Sequence, residues 1–481
     1  MRQSAIRFAA ASVALTLVVT ACGKDRNASP SPSVGGTTAA TTPSTGAVSS
    51  TPSTEPKPAL PSFGDAAWPC GKGDGANADT GTETGVTKDS ISIAYGDDAG
   101  YAGSPGLSHE ASDAIKAVVA QCNDLGGING RTITANYFDA KIFDVATAMQ
   151  SACDGKNFFL VGEGWAFDGQ QEEIRLGCKL PAVPTYSVSA AFAHAADVFQ
   201  GVPNPSDETP AGVFEQVATL FPTEVKKVAT LTSGFGATVE TRDKVVAVAP
   251  SFGWGFAEST LEYNPAGETD WTPFVKQIKD SGATMVSWQG SCLPGLQLFA
   301  QTAKANGLDV PIVTDSNHYE TKCAAANTDG ALSKMYIRFG FIPFEEADVN
   351  KATKDYLDLL KAKGGDASLL GMQATSSFLL WATAAQKCGA TLTRQCTLDN
   401  MKATHSWTGH GLHAETDPGG NHPPKCAILI QLDGTTYKRI APKERGKFEC
   451  KDTWIAKVSG TPALIAAKLD DNRISQQFTG K

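Results

Sequence analysis

Four of the seven histidines fall within one short segment, where they could act together as metal ligands. The segment reads HSWTGHGLHAETDPGGNH and contains His405, His410, His413 and His422, with Glu415 or Asp417 as a further donor. It is rich in Gly and Thr, and it lacks the two histidines one helical turn apart beside a glutamate that mark a zinc protease. We therefore predict no metal site and no cofactor, and a metal-binding protein is the alternative.

No other motif indicates catalysis. The segment TSGFGATVE places Gly234 and Gly236 after a predicted strand, but the third glycine of a dinucleotide-binding turn is missing. A nucleophile elbow of the form G-x-S-x-G does not occur in the chain. We therefore expect a protein that is not an enzyme.

Polar and aromatic side chains follow several predicted strands, where they could contact a small molecule. The candidate ligand-binding residues are Asp97, Asp98, Tyr101, Gly164, Trp165, Tyr186, Ser187, Phe235, Gln289, Asp315 and Ser316. In open parallel sheets, ligands bind beyond the carboxyl ends of the strands, where helix N-termini favour anions such as carboxylates. The set predicts a binding cleft, although each residue alone would equally suit a capped helix start or a surface loop.

The elements that position these residues alternate between short apolar strands and amphipathic helices. SISIAYG predicts a strand, and LSHEASDAIKAVVAQCNDLGG predicts a helix with Ile115, Val118 and Cys122 on one face. The alternation reaches the strand PAVPTYS, restarts after a proline-containing loop, and runs on to the strand VPIVTDS. Two such series predict two doubly wound α/β lobes, each with a parallel sheet between helices.

The cysteines indicate an oxidising compartment. Of the 11 cysteines, all but Cys22 lie in this α/β body, and their even number without any C-x-x-C motif is typical of disulfides in an exported protein. Ten cysteines allow about 945 pairings, so the sequence alone leaves the connectivity open. The pairs we predict are Cys70–Cys122, Cys153–Cys178, Cys292–Cys323, Cys388–Cys396 and Cys426–Cys450.

The chain begins with an apolar run that ends at a cysteine. Residues 8–21 carry no charge, and this length is too short for a membrane-spanning helix of about 20 residues but typical of a secretory signal. The residues VTA before Cys22 resemble a bacterial lipobox. We predict a signal peptide at 1–21 and a lipid anchor at Cys22 that holds the protein on the outer face of the cell membrane. An ordinary signal peptide or an uncleaved anchor is the alternative.

The segment after Cys22 has the composition of a disordered linker. Residues 22–65 are mostly Ser, Thr, Pro, Gly and Ala, with few of the branched and aromatic residues that build a core. The whole chain has a net charge of −9, and it shows no basic patch or lysine-rich tail. Nucleic acid is therefore not an expected partner.

Two motifs resemble a known family. GGINGR (126–131) lies between the first predicted helix and the second strand, and GETDWTPFVKQIKDSGA (267–283) leads into a strand of the second series. Together they resemble type 1 extracytoplasmic solute-binding proteins of the branched-chain amino acid receptor class, which serve ABC importers. The resemblance covers about residues 85–432.

The resemblance implies two lobes joined by three crossings of the chain. It places residues 66–205 and about 331–405 in lobe 1, and residues 206–330 and about 406–481 in lobe 2. It also implies a monomer that captures a small-molecule solute between the lobes and delivers it to an ABC transporter permease. A ligand-sensing or adhesion lipoprotein with the same fold is the alternative.

The candidate site departs from the amino acid receptors at three positions. Trp165 stands where the resemblance implies a serine, and Cys292 lies near a position where an aromatic residue often lines the pocket. Asp315 or Ser316 falls near the acidic residue that holds an ammonium group in those receptors. These departures put leucine-like ligands in doubt. Stacking on a flat or apolar solute would suit the aromatic candidates Trp165, Tyr186 and Phe235.

Overall fold

The structure, a computed structural model, describes residues 61–78 and 83–476. The predicted signal peptide, the predicted lipidation site Cys22 and most of the predicted linker lie outside the described residues. The end of that linker was wrongly predicted, because residues 61–65 belong to the folded body. Ser62–Phe63 forms a strand, and Phe63 packs edge-on against Trp68 with 5.2 Å between ring centroids.

The described residues form sixteen β-strands. These are β1 (Ser62–Phe63), β2 (Ala66–Ala67), β3 (Ser90–Asp97), β4 (Thr132–Asp139), β5 (Phe159–Val161), β6 (Ala182–Val183), β7 (Glu208–Pro210), β8 (Val228–Ser233), β9 (Phe256–Tyr263), β10 (Met285–Gln289), β11 (Ile312–Thr314), β12 (Met335–Phe339), β13 (Cys426–Asp433), β14 (Thr436–Ala441), β15 (Glu449–Cys450) and β16 (Ile455–Lys457).

The same residues form thirteen α-helices. These are α1 (His109–Asp124), α2 (Val145–Asp154), α3 (Glu172–Gly177), α4 (Ala190–Ala193), α5 (Gly212–Leu220), α6 (Gly236–Val248), α7 (Thr272–Asp280), α8 (Gln297–Ala305), α9 (Thr321–Ala326), α10 (Lys351–Lys363), α11 (Leu369–Lys387), α12 (Arg394–Lys402) and α13 (Pro462–Ala467). None of these helices is long and apolar enough to cross a membrane.

Two separate sheets define the two predicted lobes. The sheet of lobe 1 is parallel throughout and has the order β4-β3-β5-β6. The sheet of lobe 2 has eight strands, in which β9, β8, β10, β11 and β12 run parallel. The predicted α/β fold with two lobes is therefore confirmed.

The sheet of lobe 2 is mixed rather than purely parallel. Strands β13, β14 and β15 run antiparallel to their neighbours. The hairpin between β13 and β14 turns at Gly434-Thr435, and Gly434 has a φ of +60°, which glycine adopts without strain. A hairpin of this kind can join only antiparallel strands, which explains the difference from the predicted parallel sheet.

The chain crosses between the lobes three times, as the resemblance implied. It leaves lobe 1 after α4, returns after β12 to form α10 and α11, which pack against α1, and crosses again before β13. Strand β12 pairs in parallel with β11 in lobe 2. The second segment of lobe 1 therefore begins after Phe339 and not near residue 331.

Helix α11 forms the centre of lobe 1. It is buried on nearly all sides, as expected for a helix that is apolar around its circumference. Its first turn is capped by Ser368, whose Oγ accepts a hydrogen bond of 3.0 Å from the N–H of Gly371. Such a cap contributes about 1 kcal/mol.

The GGINGR motif is a structural turn. Its buried Arg131 donates hydrogen bonds to the carbonyl oxygens of Thr87 at 2.9 Å and Ala390 at 2.6 Å. The arginine thereby ties the start of β4 to the loop between α11 and α12. The motif supports the fold of lobe 1 rather than contacting a ligand.

Each of the five predicted cysteine pairs is a disulfide in the structure. The pairs are Cys70–Cys122, Cys153–Cys178, Cys292–Cys323, Cys388–Cys396 and Cys426–Cys450. The first joins the amino-terminal segment of the body to α1, and the fourth joins the end of α11 to the start of α12. The disulfides therefore fasten segments within each lobe.

Candidate functional site

A cavity of about 370 Å³ lies between lobe 1 and lobe 2. Its lining includes residues of each crossing, namely Asn204, Gly340 and Pro424. The volume falls in the usual range for small-molecule sites. Because both lobes and the crossings form the walls, movement of one lobe relative to the other would open or close the cavity.

Four helices begin at this cavity. Ser108 precedes α1, and Gly212, Ala237 and Leu369 lie in the first turns of α5, α6 and α11; all four residues line the walls. For α1 and α6 this position follows from the topology, since they come after the parallel strands β3 and β8, and helices in open parallel sheets begin beyond the carboxyl ends of the strands. Helices α5 and α11 instead follow β7 and α10. The N-terminus of a helix carries partial positive charge and favours an anion.

Six of the eleven candidate residues line the cavity. They are Tyr101, Tyr186, Ser187, Phe235, Asp315 and Ser316. The hydroxyl groups of Tyr186 and Ser187 are already used within lobe 1. Tyr186 donates to the carbonyl oxygen of Gly164 at 2.8 Å, and Ser187 donates to Oε1 of Gln200 at 2.7 Å.

Aromatic rings connect the two lobes at the cavity. Phe235, at the start of α6 in lobe 2, lies edge-on to Tyr101 and Phe167 of lobe 1, with ring centroids 6.2 and 5.6 Å apart. Phe143 extends the same cluster through contacts with Tyr101 and Phe167. The lobes are thus in direct contact through Phe235.

Asp97 and Asp98 do not line the cavity. Both are fully buried, and Asp98 accepts hydrogen bonds from the backbone N–H groups of Ile142 at 2.6 Å and Ala166 at 2.8 Å. Burial raises the pKa of Asp98 to about 6. Asp97 accepts a hydrogen bond of 2.5 Å from the hydroxyl group of Tyr137. These carboxyl groups brace the loops that follow the strands, and the prediction that they contact a ligand has no support in this geometry.

Trp165, Gly164 and Gln289 are also absent from the cavity walls. Trp165 is fully buried in the core of lobe 1, and its indole N–H donates to the carbonyl oxygen of Phe138 at 3.3 Å. The side chain of Gln289 accepts a hydrogen bond from Thr232 and donates one to Ser287. The predicted stacking of a solute on Trp165 is therefore wrong, because the ring points into the core.

Within the described part of the chain, three charged side chains line the cavity, and all three belong to lobe 2. They are Lys244 on α6, Asp315 after β11 and Arg338 on β12. The guanidinium group of Arg338 contacts the carboxylate of Asp315. Burial lowers the pKa of Arg338 to about 10 and that of Lys244 to about 8. Both bases therefore keep most of their charge near pH 7, and the walls carry a net positive charge.

Lys244 and Arg338 were missed in the sequence because neither directly follows a strand. Lys244 lies in the third turn of α6, and Arg338 lies inside β12. A charged residue in the strand MYIRF, close to the loop that crosses to lobe 1, was the available signal for Arg338. Nothing in the local sequence distinguishes Lys244 from a lysine on an exposed helix face.

The four clustered histidines do not converge on one point. Nδ1 of His405 lies 2.8 Å from Asp417, Nδ1 of His422 lies 2.8 Å from Glu208, and Nε2 of His413 lies 2.8 Å from Oγ of Ser376. The ring of His410 packs against Trp407, with 5.3 Å between centroids. Each histidine thus has its own partner, and the alternative of a shared metal site has no support in this arrangement.

One other group of potential metal ligands occurs among the described residues. The donor atoms of Cys292, Glu320 and Cys323 lie within 4.8 Å of one another. The two cysteines form a disulfide, so neither offers the thiolate that binds metals. Cys292 has a structural role in lobe 2 and does not line the cavity.

A family model described as periplasmic binding protein matches residues 95–437. The chain therefore belongs to the periplasmic binding protein family, a family of receptors that bind solutes. The resemblance stated from GGINGR and the second motif is thereby confirmed. No curated protein matches the sequence.

Solved structures of binding proteins share the fold at low sequence identity. The substrate-binding protein LivJ of Streptococcus pneumoniae, in complex with isoleucine, is 17% identical and has a TM-score of 0.59 over 77% of this chain and 100% of its own. The leucine-binding protein LivK of Thermotoga maritima is 14% identical, with a TM-score of 0.61 over 73% of this chain and 98% of its own. An ABC transporter solute-binding protein of R. palustris, in complex with 4-hydroxybenzoate, is 18% identical, with a TM-score of 0.61 over 78% and 100%. These likenesses establish the type 1 fold.

Proposed function

We propose that the protein is an extracytoplasmic solute-binding lipoprotein that captures a small molecule between its lobes and delivers it to the permease of an ABC importer. The solute is amino-acid-like or a related small molecule. The observation that carries the proposal is the cavity of about 370 Å³ whose walls come from both lobes and from the crossings. A solute in this position contacts both lobes at once, so its binding favours the closed arrangement.

The ligands bound in two solved structures of the same fold support a small-molecule solute. LivJ was solved with isoleucine and the R. palustris protein with 4-hydroxybenzoate. Both ligands carry a carboxylate on an otherwise small body. The closed arrangement of such a receptor is the shape that a permease recognises, and no bond in the solute changes.

The first experiment is a melting screen of the purified protein against a metabolite library. A narrow class of solutes should raise the melting temperature through mass action. Mass spectrometry of molecules released on denaturation should identify the same class. A protein that no small molecule stabilises and that releases none would contradict a receptor function and favour an adhesion role.

A matched pair of variants tests whether the solute binds in the cavity. Thr241 lines the cavity, and Thr219 is exposed on α5; each hydroxyl group donates to the carbonyl oxygen four residues earlier. Thr241→Trp should fill the cavity and abolish the stabilisation by the solute. Thr219→Trp should leave it intact.

The membrane anchor is tested separately at Cys22. Cys22→Ser should move the protein from the membrane fraction to the soluble extracytoplasmic fraction and abolish incorporation of a labelled fatty acid. Two acyl chains are needed for stable anchoring, because each buried CH₂ contributes only about 0.8 kcal/mol. Retention of the variant in the membrane would indicate an uncleaved amino-terminal anchor instead.

A further inference from the structure

We propose that the solute is an organic carboxylate with an uncharged, apolar body, and that Lys244 binds its charged end. This inference rests on the proposed function, because it assumes that the interlobe cavity holds a solute. It narrows that function by excluding the zwitterionic amino acids. Three features of the cavity support it.

The first feature is a buried ammonium group without an acidic partner. Lys244 is 8% exposed, and its Nζ donates to Oδ1 of Asn204 at 3.0 Å and to the carbonyl oxygen of Pro205 at 2.7 Å. Both acceptors are neutral, and across residues 61–78 and 83–476 no carboxylate forms an ion pair with Lys244. A buried charge of this kind is unfavourable unless it is paired. An anion in the cavity would supply the missing partner for the third N–H.

The second feature is that the described cavity walls offer no unpaired carboxylate to bind the ammonium group of an amino acid. Among the residues that the structure describes, Asp315 is the single acidic one in the cavity walls, and its carboxylate is already paired with Arg338. An amino acid would bring both a carboxylate and an ammonium group into the cavity. Its ammonium would have to displace Arg338 from Asp315, and it would leave that guanidinium unpaired. A carboxylate without an ammonium group avoids this penalty.

The charged groups around Lys244 do not take the place of an anion in the cavity. Glu240, one turn earlier on α6, and Asp207 favour its charged form, and Arg338 opposes it. Neither acid lines the cavity. Burial raises the pKa of Glu240 to about 7, so this residue carries only part of a charge near neutral pH. The N-terminus of α6 also lies at the cavity and adds partial positive charge.

The third feature is a group of apolar side chains in the walls. These are the aliphatic and aromatic side chains Leu107, Ile142, Val188, Val202, Phe235 and Phe341, which lie beside hydroxyl-bearing residues such as Ser233 and Thr238. Such a surface suits a hydrocarbon or aromatic body without further charge. The cavity therefore matches a molecule with one anionic end and one apolar end.

The test compares matched probes that differ only at the charged end. The carboxylates are 3-phenylpropanoate and 4-methylpentanoate, each measured beside its primary amide and beside the amino acid with the same skeleton, phenylalanine or leucine. Isothermal titration of the purified full chain should show that at least one carboxylate binds about tenfold or more tightly than its amide and its amino acid.

Variants of Lys244 separate ligand binding from a structural role. Lys244→Gln keeps a donor for Asn204 and Pro205 but removes the charge, so it should weaken the carboxylate about tenfold or more and leave the amide unchanged. Lys244→Arg should restore most of the affinity. Lys361→Gln, at an exposed position on α10, is the matched control and should bind like the parent.

Several results would overturn the inference. These are equal or tighter binding of leucine or phenylalanine, no binding of either carboxylate, and unchanged affinity in Lys244→Gln. If the protein instead binds or releases a neutral or cationic solute, the inference fails while the receptor function stands. If it binds and releases no small molecule at all, the receptor function fails as well.

Discussion

Phe235 is the single side chain of lobe 2 whose ring meets two aromatic rings of lobe 1 in the described structure. Each such pair contributes about 0.5–1.5 kcal/mol, and both pairs exist only while the lobes are together. Phe235→Ala should therefore destabilise the closed arrangement and weaken solute binding about tenfold. Calorimetric titration with the solute found in the melting screen measures this change.

The control for Phe235 is another phenylalanine of lobe 2. Phe221 packs edge-on against Tyr336, with 4.9 Å between ring centroids, and does not line the cavity. Phe221→Ala should lower the melting temperature without changing the affinity. Equal losses of affinity in the two variants would contradict a specific role of Phe235 in closure.

The buried carboxyl group of Glu240 should make the stability of the folded protein depend on pH. Burial raises its pKa from 4.5 to about 7, and its Oε2 has no hydrogen-bond partner in the described part of the chain. Because the folded state holds this proton more tightly than the unfolded state, the contribution of Glu240 is present below pH 4.5 and is lost as the pH rises through 7. Glu240→Gln should match the parent's stability near pH 4 and exceed it at pH 8.

The measurement is the melting temperature of both proteins across that pH range. The difference between the variant and the parent should grow between pH 4.5 and 7 and then level off. Glu173→Gln, at an exposed position of α3, should follow the parent at every pH. A difference between Glu240→Gln and the parent that does not change with pH would show that packing, and not ionisation, explains the effect.

Individual side chains were only partly predictable from the sequence. Because Tyr101, Phe235 and Asp315 follow predicted strands, we expected them at the edge where the lobes meet, and all three line the cavity there. The position after a strand did not reveal the direction of each side chain, so Asp98 and Trp165 were predicted as ligand contacts, although Asp98 is buried against loop backbone and Trp165 points into the core of lobe 1. The direction of a side chain depends on how the neighbouring loops pack. For Asp98 these loops contain Ile142 and Ala166, which are more than 40 residues away in the sequence.

Two disulfides of lobe 1 close loops of different length, so their removal should reduce the free energy of unfolding by different amounts. Cys70–Cys122 spans 52 residues and joins the amino-terminal segment to α1, whereas Cys388–Cys396 spans 8 residues between α11 and α12. In the chain-entropy model, removing them costs about 4 and 2.5 kcal/mol respectively. Chemical denaturation of the two double Cys→Ala variants should show the larger loss of unfolding free energy for Cys70–Cys122. The reverse order would contradict the chain-entropy account for this protein.

The succession of strands and helices was largely predictable. Apolar runs of strand length and helices with one apolar face are local signals, and each predicted element from SISIAYG to VPIVTDS is present in the structure. The short pair β7 and β16 was not predicted. Its strands join Glu208–Pro210 to Ile455–Lys457, a contact between distant segments that leaves no local pattern.

The architecture of the whole body determines how it responds to a solute. Three crossings connect the lobes, and the cavity lies directly beside them. Besides these crossings, α13 packs against α4 of lobe 1, and we expect the lobes to bend about the side of the cavity where the crossings lie. Since Phe235 already touches lobe 1, the described structure is an arrangement with the lobes in contact, and the solute-free protein should also populate more open arrangements.

Small-angle X-ray scattering of the body from residue 61 onward tests this hinge motion. A compact body of this length has a radius of gyration of about 22 Å. Saturation with the solute should reduce the radius by about 1 Å, because closure removes the open part of the ensemble. Thr241→Trp, which blocks the cavity, should show no change when the solute is added. Identical scattering of the free and saturated parent would mean that the lobes do not move, and the permease would then have to recognise the solute-bound receptor by something other than its shape.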